Sequence, residues 1–504
     1  MKKPCTCREP AVLFVVGCRI LGIVGILCIA GPPAHTQSAS DEGLRQQLQQ
    51  LTDAMTRTQE QLEESQRQLQ QIRGQLTALQ KQLAVSEASH SSSTQLAAAV
   101  NEIREQQSMQ EAQIATHEQA KVESDSKFPV KLSGLVLLNG FVNTRMVDIP
   151  ATPTIVLTGR GTTGATLAQT VLGLDARGPH LFNAHSDADV QVDLAGDLSA
   201  SGYGASGGIM RLRTAHANLR WEHQDAFFSL DHTILAPDSP TSLTAVAMPA
   251  LSWSGNLWTW NPQAGMTADL PLSPARRLRM QGAMIAVSDP PPIYSFSTSP
   301  SSVVAPTTAQ LSRWPGIEGR VAFLGNTEQG GLQLGVGGLF APHRIFGYNF
   351  DSWAGTLDYR IPFTSRTELS GSFYRGQALG GLGGGAYKDY LVRPDPDDPG
   401  HFYYRTLDNT GGWAQLKQRV DEHLEFNAAF GTDQVPAGQL RPYAGASSAV
   451  YLNLARNRTY VANVIYSPSA YLLFSLEYRH LQSSPVNGAT NSGDVIGIAT
   501  GYRF

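Results

Sequence analysis

Apolar positions along this chain fall into three successive patterns: a short block, a repeat of seven and a repeat of two. The block occupies residues 11–17 and 20–30, interrupted by Arg19, behind a positive start of Lys2, Lys3 and Arg8. Small and polar residues follow at 31–40. A charged start, an apolar centre and a small-residue exit form an export signal, expected over residues 1–36 with cleavage between Thr36 and Ser40. The run 20–30 is too short to cross a bilayer as a helix.

The seven-residue repeat begins at Leu44. One series is Leu48, Met55, Leu62, Leu69, Leu76 and Leu83; the other is Leu44, Leu51, Thr58, Ser65, Ile72 and Leu79. Mostly leucine at both seam positions, on a Gln-, Glu- and Arg-rich background, predicts an α-helical coiled coil over residues 41–84. Its seam is Leu44, Leu48, Leu51, Met55, Leu62, Leu69, Ile72, Leu76, Leu79 and Leu83. Residues 85–127 read as a Ser-rich linker and a weaker helix, with Leu96, Val100, Ile103 and Ile114 in register but Gln107 and Gln110 at seam positions. Phe128-Pro129 ends it, because the residue before proline is pushed out of the helical region.

From residue 128 to 504 the period is two. Ile496, Ile498, Thr500, Tyr502 and Phe504 share one face of the final segment, while Val495, Gly497, Ala499, Gly501 and Arg503 share the other. Leu472, Phe474, Leu476 and Tyr478 alternate with Ser475, Glu477 and Arg479, and Tyr460, Ala462, Val464 and Tyr466 align likewise. Similar segments lie at residues 208–221, 317–324, 354–361, 368–375, 413–420 and 423–431. An apolar face opposite a polar one, in strands separated by turn residues, is the pattern of a transmembrane antiparallel β-barrel. Hydrocarbon offers no partner to an open strand edge, so the sheet must close. The length of this pattern predicts about 16–18 strands, the size at which a barrel retains a water-filled lumen. A soluble β-sandwich also alternates, but about 375 residues of continuous β pattern and a final strand ending on Tyr502 and Phe504 favour the barrel.

Composition agrees once this pattern is in view. The mean hydropathy of −0.18 looks soluble, yet alternation hides apolar content from any average. The formal net charge of −4 excludes a strongly basic nucleic-acid binder. Cys5, Cys7, Cys18 and Cys28, the 4 cysteines, all lie in the expected signal, so the mature chain relies on packing and backbone pairing rather than disulfides.

The heptads, the segment Lys131-Leu132-Ser133-Gly134 running to Gly140-Phe141-Val142, Gly208-Ile209-Met210-Arg211-Leu212-Arg213, Leu476-Glu477-Tyr478-Arg479 and the terminal Phe504 together resemble the DcaP-type trimeric outer-membrane porins. The resemblance implies a homotrimer in the cell outer membrane, an N-terminal stalk in the periplasm and passage of small anionic solutes. It also implies Tyr502 and Phe504 as the signal read by the barrel-assembly machinery. Outer-membrane lipid is the expected surrounding, and peptidoglycan a further partner for the stalk. A trimeric surface adhesin or an envelope tether acting through the coiled coil is the alternative.

With the apolar face outward, the lumen and selectivity candidates are Arg211, Arg213, Glu318, Arg320, Asp358, Arg360, Lys417, Arg419, Glu477 and Arg479. Rings of such charges set ion preference in a pore. Arg211 and Arg213, with no acid between them, are expected to attract anions, whereas the mixed acid–base sets also suit salt bridges between strands. Other motifs carry less. The glycines at 380–385 lack the Lys-Ser/Thr of a nucleotide loop and read as a flexible barrel loop or turn. The acidic stretch 393–399 reads as a solvated loop rather than a calcium site. Trp253, Trp258 and Trp260 read as part of an interfacial aromatic girdle. The 12 scattered histidines, without an HExxH pair, give no metal site. No cofactor and no enzymatic activity are expected.

Overall fold

The computed structural model describes residues 129–196, 209–290, 306–327, 330–345, 347–398, 400–444 and 450–504. The expected signal, the coiled-coil seam and the 85–127 linker lie outside the described residues.

The strands are β1 (Val130–Val147), β2 (Val156–Thr166), β3 (Val171–Leu181), β4 (Ala184–Asp193), β5 (Arg211–Arg220), β6 (Gln224–Asp231), β7 (Asn261–Ser273), β8 (Arg276–Ile285), β9 (Gly316–Thr327) and β10 (Gly330–Ile345). They continue with β11 (Tyr348–Pro362), β12 (Thr367–Gln377), β13 (Tyr390–Pro394), β14 (Phe402–Thr406), β15 (Asp408–Arg419), β16 (Leu424–Gln434), β17 (Leu454–Tyr466), β18 (Leu472–Pro485) and β19 (Asn491–Arg503). All but β13 and β14, which pair with each other, belong to one 17-stranded antiparallel sheet.

Closure is made by β1 against β19, in register from Leu135↔Arg503 to Asn143↔Val495. The backbones of Gly134 and Phe504 exchange hydrogen bonds of 3.0 and 3.1 Å. On its other edge β1 pairs first with β3, up to Leu135↔Val171, and then with β2, from Asn139↔Thr166. β2 and β3 therefore lie end to end as one stave, and the 17 strands make a closed barrel of 16 staves. That is the lower bound of the sequence expectation.

Alternation decides which side chains face inward. In β1, Leu137 is 0% exposed while its neighbour Leu138 is 51% exposed. The same contrast runs round the ring: Val461, Leu473, Val495 and Ala499 are buried, whereas Tyr460, Leu476, Ile496, Ile498, Tyr502 and Phe504 form the outer face. Connections at one end of the barrel are tight. Phe182 and Asn183 join β3 to β4 with positive φ of 51 and 61°, matching the right-handed twist of the strands they connect. Connections at the opposite end, such as residues 232–260 and 378–407, are longer and carry the structure that shapes the interior.

Candidate functional site: the lumen and its inward segment

Residues 232–260, between β6 and β7, have no two-residue alternation, hold three prolines (Pro237, Pro240, Pro249) and are rich in apolar and hydroxyl side chains. Such a segment cannot extend the ladder, and it folds into the barrel. There it makes a circuit of the inner wall. The Thr233 hydroxyl donates to Glu318 of β9, and Asp238 accepts from Arg360 of β11. Ser242 and Thr244 each donate to the Glu477 carboxylate of β18 at 2.6 Å. Asn463 of β17 donates to the Thr241 carbonyl at 2.8 Å, and Asn139 of β1 to that of Leu243 at 2.8 Å. Arg211 of β5 donates to the Ala247 carbonyl at 2.7 Å. Buried wall polar groups that would otherwise lose solvent thus find backbone partners on the segment.

Gly255, with φ of 103°, and the wall residue Gly431 permit the closest approach: a side chain on Gly431 would overlap the Ser254 carbonyl. Apolar residues of the segment fill two clusters. Leu235, Ala236 and Leu257 pack with Ile285, Leu339, Tyr374, Leu379 and Leu382. Met248, Trp253 and Trp258 pack with Ile155, Tyr387, Leu391, Leu407, Leu440 and Leu454. The tryptophans therefore do not form an outer girdle. Trp253 is 1% exposed and stacks on Tyr387 with centroids 3.9 Å apart, because an indole on a non-strand segment is buried by the segment's path rather than by strand parity.

The glycine-rich stretch 380–385 takes the turn form, packed rather than loose. Gly380, Gly381, Leu382 and Gly385 are all buried in two 3-10 turns. The Lys388 ammonium, fully enclosed, donates to the carbonyls of Ala386, Tyr451 and Leu454, each at 2.8 Å. Burial lowers its pKa to about 7. The neighbouring Asp389 accepts from the Gly380 amide at 2.6 Å, and burial raises its pKa to about 7.

All the charged candidates sit on the inward face, and most have partners. Arg320 forms a two-point ion pair with Asp358, at 2.8 and 2.6 Å. It passes over Gly335 of the intervening β10, where a side chain would collide with both partners. Arg360 binds Asp238, Lys417 and Arg419 both lie 3.5 Å from Glu425, and Arg479 binds Glu477. Arg211 and Arg213 have no acid between them in sequence, but strand pairing supplies one to Arg211. Asp193 of β4 takes Arg211 at 3.1 and 2.6 Å. The strand pairing Asp193↔Arg211 creates this contact, and no local spacing in the sequence encodes it.

Arg213 differs. A register shift where β4 meets β5 brings it inward alongside Arg211 and Thr214. Both guanidinium groups lie over the Trp260 ring, at 5.1 and 5.3 Å from its centroid, within cation–π range. Trp258 meets Trp260 edge-on at 5.5 Å. Three N–H donors of this group, Arg213 Nη1, Trp258 Nε1 and Trp260 Nε1, are buried without an acceptor among the described residues. One turn-ward step along the wall, His216 bridges Asp189 at 2.7 Å and Asp231 at 3.0 Å. Asp193, His216 and Asp238 escaped sequence reasoning, and sequence places Trp260 on an outer girdle, because only strand register and the inward segment bring them to the lumen.

No protein-family model matches the chain, and comparison with curated proteins finds no sequence match. Solved structures do match in shape. The outer membrane channel DcaP of Acinetobacter baumannii is 15% identical with a TM-score of 0.53, covering 75% of this chain and 99% of its own. An anion-selective porin from Comamonas acidovorans is 11% identical with a TM-score of 0.47, covering 75% and 100%. OprB of Pseudomonas putida is 8% identical with a TM-score of 0.45, covering 74% and 94%. The barrel has the fold of the DcaP channel, and the resemblance read from the sequence holds at the level of fold.

Proposed function

We propose that this protein is an outer-membrane porin that passes small polar anions by diffusion, with the mouth of tight turns on the periplasmic side. The DcaP structure of the same fold is an outer membrane channel, and the closed barrel supplies the wall such a channel requires. The observation that carries the anion preference is the Arg211–Arg213–Trp260 group. Asp193 neutralises one guanidinium, the second, that of Arg213, has no ion-pair partner among the described residues, and its Nη1 lacks an acceptor, as do the Nε1 atoms of Trp258 and Trp260. Such donors suit a carboxylate or another small anion, since each buried donor left unmade costs about 1–3 kcal/mol. The turn-end mouth adds a cleft of about 420 Å³ lined by Arg276, Arg277, Arg279 and Arg360 against Asp269 and Glu222, which biases entry toward anions. A homotrimer with the heptad stalk in the periplasm completes the proposal.

Planar-bilayer recordings under a salt gradient test it. Wild-type protein gives discrete channel steps with a reversal potential on the anion side. Arg213→Ala moves that potential toward zero, and Arg419→Ala, at an already neutralised exposed pair, moves it little. The absence of channel steps refutes the porin, and cation preference refutes the selectivity.

A further inference from the structure

Cross-strand register lets the outer face of β15–β18 be read as rows, starting at the long-loop end. The first row is Thr410↔Gln434↔Arg456↔Ser484. The second is Gly412↔Thr432↔Arg458↔Gln482, and the third Ala414↔Phe430↔Tyr460↔His480. The fourth is Leu416↔Ala428↔Ala462↔Tyr478, and the fifth Gln418↔Phe426↔Val464↔Leu476. Same-face rows are about 7 Å apart, two residues of strand rise. The face therefore passes from guanidinium through paired aromatics to aliphatic surface within about 20 Å. Phe430 and Tyr460 mark the change, with ring centroids 4.8 Å apart.

Arg456 and Arg458 are the anomaly. Each points the same way as Tyr460, yet the Nε of each is buried without an acceptor, and neither has an ion-pair partner among the described residues. Above the first row, the short helix Ala437–Leu440 and the 3-10 turn Arg441–Tyr443 overhang the wall. Between them lies a cleft of about 530 Å³ lined by Thr410, Gln434, Arg441, Arg456 and Ser484. The cleft holds two arginines and no acidic residue. On a lipid-facing wall arginine costs about 2–4 kcal/mol at the bilayer midplane and about 0–1 near the interface, so these side chains belong at headgroup depth.

We propose that this cleft binds the phosphorylated headgroup of a lipid in the leaflet at the long-loop end. Arg441 and Arg456 grip the phosphate, Arg458 supports it from the row below, and the acyl chains descend over Phe430, Tyr460 and Leu416. Charge complementarity selects an anion, and the planar guanidinium fork suits two phosphate oxygens at once. The aromatic and aliphatic rows select an anion that carries hydrocarbon. The proposal rests on the barrel being seated in a membrane and not on which solute crosses it.

The test uses full-length protein in a neutral detergent, titrated with a bis-phosphorylated acylated glucosamine lipid, its dephosphorylated form and inorganic phosphate, and read by native mass spectrometry. The phosphorylated lipid binds at least about tenfold more tightly than either comparison ligand. The double variant R456Q/R458Q loses that preference, R456K/R458K retains part of it, and both keep wild-type channel conductance. Equal affinity for the dephosphorylated lipid, or full affinity in the Gln variant, overturns the proposal. Equally tight binding of inorganic phosphate makes the cleft a free-anion site and also overturns it. So does a Gln variant that keeps the lipid but loses oligomeric mass, since the face is then a contact between copies. Intact conductance with lost lipid preference separates this outcome from any failure of the porin reading.

Discussion

Arg320 and Asp358 show how much one inward pair depends on its neighbours. Their side chains are 3% and 1% exposed, and they meet only because Gly335 leaves room on the strand between. Asp358→Ala strands a buried guanidinium, which costs about 3–5 kcal/mol when one member of a buried pair is removed. Arg419→Ala breaks a pair that is 53% and 20% exposed, worth about 0–1 kcal/mol. Thermal unfolding in detergent, followed by the gel shift between folded and unfolded forms, is expected to show a large drop for the first variant and almost none for the second. Comparable drops would mean that the buried pair is well hydrated. The presence of charge at these positions was legible from period two alone. Their pairing was not, because Arg320 reaches across one whole strand to Asp358, and Arg360 reaches a residue 122 positions away.

At the scale of elements, the inward segment and the turns around Lys388 decide the shape of the interior. Lys388→Met keeps the length of the side chain but leaves the carbonyls of Ala386, Tyr451 and Leu454 without their donor. Each buried carbonyl left unpaired costs about 1–3 kcal/mol, so limited proteolysis is expected to cut the connection between β16 and β17 faster than in wild type. Unchanged cleavage would show that water replaces the ammonium.

Asp389 gives the same region a pH dependence. Its folded pKa of about 7 lies above the ordinary 3.8, so between those values the folded protein holds a proton that the unfolded chain has released. The Asp389 contribution to the turn's stability therefore falls as pH rises through that window and is flat above it, while Lys388, whose folded pKa of about 7 lies below the ordinary 10.5, adds stability only as pH rises past 7. Protection of residues 378–389 from protease is expected to be greater at pH 5 than at pH 7, with Asp389→Asn removing most of the difference. A difference that persists undiminished in the Asn variant assigns it to another group. Sequence offered the glycines at 380–385 as a flexible loop or turn; Lys388, Asp389 and the apolar clusters make it a packed turn.

For the whole molecule, closure is the controlling event. Gly134 and Phe504 complete the ring through two backbone hydrogen bonds, and Tyr502 and Phe504 present stacked rings on the outer face. Deleting Phe504 removes one stitch of the seam and the last outward aromatic. The yield of folded, membrane-inserted protein is expected to fall severalfold, measured by the same gel shift on isolated membranes; an unchanged yield would deny the terminal ring any part in assembly. The proposed trimer is tested by mass in mild detergent with and without residues 41–83. Loss of the trimer on deletion assigns assembly to the heptads, and an unchanged trimer assigns it to the barrel wall.

The sequence by itself determined the barrel. Strand parity is a local property, since adjacent side chains such as Leu137 and Leu138 must take opposite faces, and apolar alternation states which face meets hydrocarbon. The strand range and the inward candidates followed from that regularity. Tertiary structure alone decided what fills the ring. The path of residues 232–260, the pairing of Arg211 with Asp193 and the burial of Trp253 and Trp258 depend on contacts between segments far apart in the chain, and no periodicity records them. The unpaired arginines above Phe430 and Tyr460 became visible only when register set four strands side by side.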